Sequence, residues 1–375
     1  MATERKRIGL IVNPVAGMGG SVGLKGTDGQ AILARAKALG AKPVAPARAL
    51  RALRRLAAAA EVELLGCAGA MGDDTASQAG LQVTLLASRP ATATTAADTQ
   101  AAARELQARG AALILFAGGD GTARDILDVV GDAVPMLGIP SGVKMHSAVF
   151  AISPEAAGQL AALVATDRDG KISYREAEIM DIDEDAVRSG RVCARLHGYG
   201  RVPFERHLVQ SAKAGGITAG AALDGVCREI AAEMLPGVVY VLGPGTTTQR
   251  ILRHMGLAGT LLGVDAVRDG RMLGLDLRSG QIEELVRGQP AQIIVSVIGG
   301  QGYIFGRGNQ QISPGVVRSV GRDNIVIVAT QQKLASLEGG CLLVDTGDPE
   351  LDERLQGYVR VRTGPGQSAM MRMAC

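Results

Sequence analysis

The stretch Gly118-Gly119-Asp120-Gly121-Thr122 places one carboxylate inside a glycine turn, after the apolar run Leu113 to Ala117 and before a helix-forming segment. A carboxylate there can bind Mg²⁺ or accept a proton from an attacking hydroxyl. The surrounding glycines let backbone N–H groups approach a phosphate with no Cβ in the way. Three more clusters fall where short apolar runs stop. The first is Asn13-Pro14-Val15-Ala16-Gly17-Met18-Gly19-Gly20, continuing through Gly23 to Lys25, Gly26 and Asp28. The others are Gly243-Pro244-Gly245-Thr246-Thr247-Thr248 and Gly299-Gly300-Gln301-Gly302, the last running on to Gly306-Arg307-Gly308-Asn309-Gln310. Two common phosphate fingerprints fail. Lys25 follows Gly23 at the wrong spacing for a P-loop, and Val22 occupies the third glycine position of a dinucleotide loop opened by Gly17-Met18-Gly19. The first cluster is therefore either a phosphate loop of another kind or an ordinary turn.

Elements must hold these loops in place. Residues 8–12, 61–65, 81–87, 113–117 and 134–139 read as short strands. They alternate with helical segments at 31–39, 47–60, 98–109, 122–130 and 154–165. That alternation predicts a parallel sheet covered on both faces, with ligands at the carboxyl ends of its strands. From about residue 166 the texture changes to hairpins, one over 171–183 and 191–197 around Arg188-Ser189-Gly190-Arg191, another around Arg268-Asp269-Gly270. Helices at 220–235 and 246–255 and strands at 238–242, 261–267, 272–277, 292–298, 324–329 and 341–345 follow. The expected fold class is α/β: an N-terminal Rossmann-like parallel-sheet domain over 1–165, then a second mixed, β-rich domain over 166–345. Residues 346–375 are expected to pack back on the N-terminal domain, with Met370, Met371 and Met373 in a flexible tail.

Composition narrows the function classes. Of 375 residues, 51 are glycine, about twice the usual share near 7%. They follow no three-residue period, which excludes collagen. Lys+Arg 40 against Asp+Glu 37 is nearly balanced, no dense basic block exists and Phe, Tyr and Trp total nine, so nucleic-acid binding is not expected. The five cysteines, at 67, 193, 227, 341 and 375, form neither a zinc spacing nor a disulfide framework and fit a reducing compartment. Met1 to Arg7 is charged and leads straight into a strand pattern, and no apolar run approaches 18 residues. A cytoplasmic location with no membrane partner is expected. Asp167, Asp169, Gly170, Ile172 and Glu176 fall at EF-hand spacing, yet the first ligand position holds Ala165 and strand-like residues follow, so a domain-boundary turn is expected instead.

Gly-Gly-Asp-Gly-Thr resembles the signature shared by NAD kinases, diacylglycerol kinases and their phosphofructokinase relatives, and Asn13-Pro14 with its glycines resembles the first motif of that superfamily. Gly138-Ile139-Pro140-Ser141-Gly142-Val143-Lys144-Met145-His146 stands where NAD kinases carry a further glycine loop, and Gly243 to Thr248 looks like their substrate loop. Residues 306–314 and 344–348 look typical of the bacterial and archaeal branch of ATP- or polyphosphate-dependent NAD kinases, some associated with acetoin catabolism. The resemblance runs from residue 8 to about 364. It departs in two respects: no Asn-Glu pair for the NAD ribose is found, and the second domain reads as mixed α/β rather than a β-sandwich.

What the resemblance implies is a small-molecule kinase with NAD and ATP as ligands, Mg²⁺ as cofactor and a homo-oligomeric assembly, a dimer or tetramer. The reaction would carry phosphate from ATP or polyphosphate to the adenosine ribose 2′-hydroxyl of NAD. Asp120 would be the general base or metal-directing carboxylate. Gly118, Gly119, Gly121 and Thr122 would bond donor phosphates, with Gly17 and Gly19 on the first loop; Asn13 would brace its loop or touch the nucleotide. Lys25, Ser141, Lys144 and His146 complete the donor set, His146 opening a helix beside its loop. Gly245, Thr246, Thr247 and Thr248 would bind acceptor hydroxyls or cap the next helix. Arg307 is a phosphate partner, and Asn309, Gln310, Asp345 and Asp348 are acceptor or metal ligands, with a turn role equally open for Asp345 to Asp348. Two other readings stay open: a kinase of another metabolite or lipid, and a non-catalytic nucleotide-binding sensor.

Overall fold

A computed structural model of the chain describes all residues except 1–5, 25–29, 89–93, 144, 168, 183–193, 206–219, 299–300, 338 and 375. Lys25, Lys144, Gly299, Gly300 and the turn at 188–191 therefore lie outside the described residues. The chain divides into two compact units. The first comprises Met1–Met18, Gly26–Leu33 and Lys42–Ala212; the second comprises Gly19–Lys25, Ala34–Ala41 and Lys213–Cys375.

The first unit is built on a parallel sheet of β1 (Arg7–Val12), β2 (Glu63–Gly66), β3 (Val83–Leu85), β4 (Leu113–Gly118) and β5 (Met136–Pro140), in the order β3-β2-β1-β4-β5. Strands buried on both faces read as continuous apolar runs rather than alternation, which is why they are visible in the sequence. Helices α1 (Gln30–Ala38), α2 (Ala45–Ala59), α3 (Asp73–Gln78), α4 (Ala96–Ala108), α5 (Asp120–Val130) and α6 (Pro154–Thr166) connect them. On α2, Ala45, Ala49, Ala52, Leu53 and Leu56 form one buried stripe at helical spacing, packing with Ala157, Leu160 and Ala161 of α6. Small residues allow that approach: a Cβ on Gly158 would lie 2.1 Å from the Ala52 carbonyl oxygen. Thr95 and Asp98 start α4 with a capping box, and Ser153 ahead of Pro154 caps α6.

The expected boundary at 166 moves. The hairpin of β6 (Ser173–Ile182) and β7 (Ala194–Phe204) belongs to the first unit, because Ala177, Ile179 and Val202 join the core formed by Ile126, Val130 and Met136. The turn ahead of it is held by Asp167, which accepts from the backbone N–H of Lys171 at 2.8 Å and from Lys6 Nζ at 3.4 Å. That is the turn role expected for this acidic stretch.

The second unit holds an eight-stranded mixed sheet: β8 (Val239–Leu242), β9 (Asp265–Arg268), β10 (Arg271–Gly274), β11 (Ala291–Ser296), β12 (Ile325–Val328), β13 (Cys341–Leu343), β14 (Gly357–Gly364) and β15 (Gln367–Ala374), ordered β10-β9-β8-β11-β12-β14-β15-β13. The central β8, β11, β12 and β14 are parallel, and antiparallel partners flank them. The mixed α/β reading of this half holds. Strands β14 and β15 are integral to this sheet, and Met373 is buried in its core rather than lying in a flexible tail. Helices Ser279–Val286, Pro314–Val320 and Pro349–Leu355 escape the sequence reading because each is only about two turns long.

Candidate active site

At the carboxyl edge of the first unit's sheet, parallel register brings three loops together. Val12 pairs with Ala117 and Gly118 with Pro140, so Asn13, Gly119 and Ser141 leave adjacent strands side by side. The Asn13 N–H donates to the Ala117 carbonyl at 2.9 Å, and its side-chain amide donates to Thr122 Oγ at 3.1 Å. Asn13 Oδ1 accepts from the Val15 N–H, so this residue braces its own loop while tying it to the Gly-Gly-Asp-Gly-Thr turn. The Ser141 N–H donates to the Gly118 carbonyl.

Asp120 is the first residue of α5 and is buried. Its carboxylate accepts from the backbone N–H of His146 at 2.8 Å and of Ser147 at 3.1 Å, with His146 Nδ1 3.7 Å from Oδ2. This corrects the reading of His146: residues 145–147 are not helical, because two successive N–H groups turn toward the Asp120 carboxylate. An ionised carboxylate offers about four acceptor positions, so two bonds to backbone leave capacity for a hydroxyl or a cation. Ser147 carries the loop onward, its Oγ accepting from the Met180 N–H of β6.

The glycines here serve contact between loops. A Cβ on Gly119 would lie 3.2 Å from Gly142 Cα, and one on Gly118 would lie 2.5 Å from the Thr122 side chain. Gly17 carries φ +80, and a Cβ there would sit 2.1 Å from the Ser141 carbonyl oxygen. Gly40 has the same φ of +80 with nothing within 4 Å, so the two positions separate backbone strain from steric overlap. Gly40→Ala should cost about 1–2 kcal/mol from the left-handed backbone alone. Gly17→Ala should cost a further 1–3 kcal/mol or so from overpacking. Urea melts of both variants check this, and equal losses would remove the loop contact.

In the second unit the expected substrate residues divide. Thr247 and Thr248 are buried in the first turn of helix Thr246–His254, and Thr246 is exposed. The capping alternative fails, because Gly245 holds the cap position and Thr248 Oγ instead donates to its carbonyl at 3.0 Å. Burial pushes the Cys227 thiol up to about 11, and it donates to the Thr247 carbonyl.

Arg307 does not stand out as a phosphate ligand. It is buried against Tyr303, its guanidinium carbon 4.5 Å from the ring centre, with Nη2 3.2 Å from the Tyr303 hydroxyl and 3.6 Å from Asp345 Oδ2. Asn309 is turned inward as well, donating to the Ile304 carbonyl at 2.8 Å and accepting from the Gly306 N–H. Asp345 is therefore the buried counter-charge of Arg307. Gln310 donates to the Gly306 carbonyl and packs against Gly20.

Asp348 caps helix Pro349–Leu355, accepting from the Leu351 N–H at 3.0 Å, and pairs with Arg318 at 2.7 Å. The Leu351 N–H, then Arg318, hold its carboxyl below the usual range. Asp348→Ala should cost about 0.5–2 kcal/mol as a lost cap. A lowered carboxyl stabilises above its unfolded value and loses that contribution as pH falls through the folded one. The gap between wild type and variant in urea melts should therefore shrink from neutral pH to about pH 3; an unchanged gap would count against the cap.

Arg48 was missed by sequence reasoning. It lies on the apolar stripe of α2, is buried, and donates to the Pro140 carbonyl at 3.0 Å, just before Ser141. An arginine at a stripe position was the available signal. Asp265 is a second such residue, buried and accepting from the Thr260 N–H and hydroxyl and from the Asp276 N–H.

Among the described residues no group of three or more His, Cys, Asp or Glu side chains is disposed to hold a metal ion, and no helix is long and apolar enough to cross a membrane. Residues 8–168 match the family model described as the ATP-NAD kinase N-terminal domain, and residues 235–373 match the ATP-NAD kinase C-terminal domain. No curated protein matches the chain. With both domains present in order over most of its length, the chain belongs to the ATP-NAD kinase family and is a kinase of the class that phosphorylates an alcohol group.

Proposed function

We propose that the chain phosphorylates NAD at the adenosine ribose 2′-hydroxyl, using ATP as donor, and so forms NADP. The observation that supports this most is the buried Asp120 carboxylate, fixed where the Asn13, Gly118–Thr122 and Ser141–Ser147 segments meet. In the proposed step the 2′-oxygen attacks the γ-phosphorus, the bond to the β-phosphate oxygen breaks, ADP leaves, and the hydroxyl proton passes to Asp120. The protein's remaining task is positioning, which Asn13, Thr122 and the closely packed glycines perform.

Mg²⁺ is held in nucleotide sites by one or two carboxylates with substrate phosphates, rather than by an all-protein cage. Asp120, with acceptor capacity left and no second acid required, fits that pattern; bound Mg²⁺ would neutralise charge on the phosphates. Polyphosphate is the alternative donor. The missing Asn-Glu pair favours a second reading, in which another hydroxyl compound is the acceptor. Incubating the protein with Mg-ATP or Mg-polyphosphate and a panel of hydroxyl metabolites, followed by ³¹P NMR, tests both points. A 2′-phosphate on NAD from ATP is expected; a new phosphomonoester on another compound alone would shift the acceptor.

A further inference from the structure

The loop Gly19-Gly20-Ser21-Val22-Gly23-Leu24 lies in the second unit. It is closed by the Leu24 N–H on the Gly19 carbonyl at 2.9 Å and the Gly23 N–H on the Gly20 carbonyl at 3.2 Å. Three residues of that unit hold it. Ser279 donates its N–H to the Ser21 carbonyl, Gln310 packs on Gly20, and the stem of Arg278 runs past Gly23, its Cγ 3.6 Å from where a Cβ would stand.

Arg278 differs from the other arginines held near carboxylates in this unit. Arg307 faces Asp345, Arg318 faces Asp348, Arg250 faces Asp224, and Arg362 faces Glu229 and Glu233. No carboxylate among the described residues forms an ion pair with Arg278. Its backbone is fixed, with its N–H donating to Gln281 Oε1 at 3.0 Å at the start of helix Ser279–Val286. Arg278 is half-buried, with its backbone anchored and its stem beside a glycine loop, and a guanidinium has the fork geometry that grips phosphate oxygens in pairs. One acid stands nearby: Asp276 Oδ1 is 4.0 Å from the Gly23 Cβ position. It would repel a bare phosphate and tolerate a magnesium-complexed one.

We propose that Arg278 and the Gly19–Leu24 loop form a binding site for the polyphosphate chain of the donor, with Arg278 as its charged ligand. This deepens the kinase reading and rests on it for the identity of the donor, while the binding itself is measurable without any acceptor. The probe is Mg²⁺-tripolyphosphate, titrated calorimetrically into the full-length protein. Arg278→Gln should weaken binding by about tenfold or more, since a hydrogen bond to a charged group contributes roughly 1.5–3 kcal/mol. Arg278→Lys, which keeps the charge and loses the fork, should fall between. Arg271→Gln, removing an exposed charge from β10, should leave binding unchanged, and melting temperatures should stay level in all three.

No binding by wild type, or equal binding by wild type and Arg278→Gln, would overturn the proposal. So would equal weakening in Arg271→Gln, which marks a general charge effect. Because the titration contains no NAD, a protein that binds the probe through Arg278 yet makes no NADP would leave this site standing and refute only the acceptor.

Discussion

Asp120→Asn should lower turnover by roughly a hundred- to ten-thousand-fold, the range a positioned general acid or base supplies. The geometry adds a second effect. The carboxylate accepts from both the His146 and Ser147 N–H groups, whereas an amide offers one oxygen and turns its NH₂ toward the other donor. One buried N–H is left without an acceptor, at a cost of about 1–3 kcal/mol. The variant should therefore melt several degrees lower while remaining folded at assay temperature. The two effects separate when activity is normalised to folded protein and NAD and ATP titrations are compared. Loss in kcat with modest change in KM marks chemistry at Asp120. A variant that is less stable yet turns over normally would make Asp120 a brace for the 141–147 loop and nothing more.

Asp345→Ala should destabilise the second unit by about 3–5 kcal/mol, the effect of breaking a buried ion pair by removing one partner. The Arg307 guanidinium would keep its Tyr303 contact and lose its nearby charge in a site closed to water. The double replacement Arg307→Met with Asp345→Leu removes both charges at similar volume and should recover most of the loss. Chemical denaturation of the three variants checks this. Stability within about 0.5 kcal/mol of wild type in Asp345→Ala, together with a raised KM, would return Arg307 to the role of phosphate ligand.

These outcomes follow from which features the sequence exposes. Strands β1, β4 and β5 are legible because burial on both faces demands unbroken apolar runs, and Asn13 and Gly118–Thr122 are legible as the residues at which those runs stop. That Asn13 bonds Thr122 is a consequence of the β1–β4 register, implied once a parallel sheet is read. The hairpin's allegiance was not legible: whether Ile179 and Val202 face Ile126 is decided by packing between distant segments, and the local turn at Asp167 mimics a boundary.

Strand β15 is hidden for a different reason. Its methionines lack the β-branched or aromatic signature of strands, and its position comes from pairing with β14 and β13. At the site, the surroundings of Arg307 are hidden for the same reason. An arginine between glycines looks available to phosphate until the fold brings Asp345 beside it. Asp348 was readable from Pro349 alone, since an acid before a proline is a common helix start.

The most direct test mixes the protein with NAD and Mg-ATP and follows NADPH through an NADP-specific dehydrogenase. Wild type should form NADP steadily, and Asp120→Asn at equal folded concentration should form almost none. ATP consumption without any NADP, or NADP formed equally well by Asp120→Asn, would contradict the proposed step.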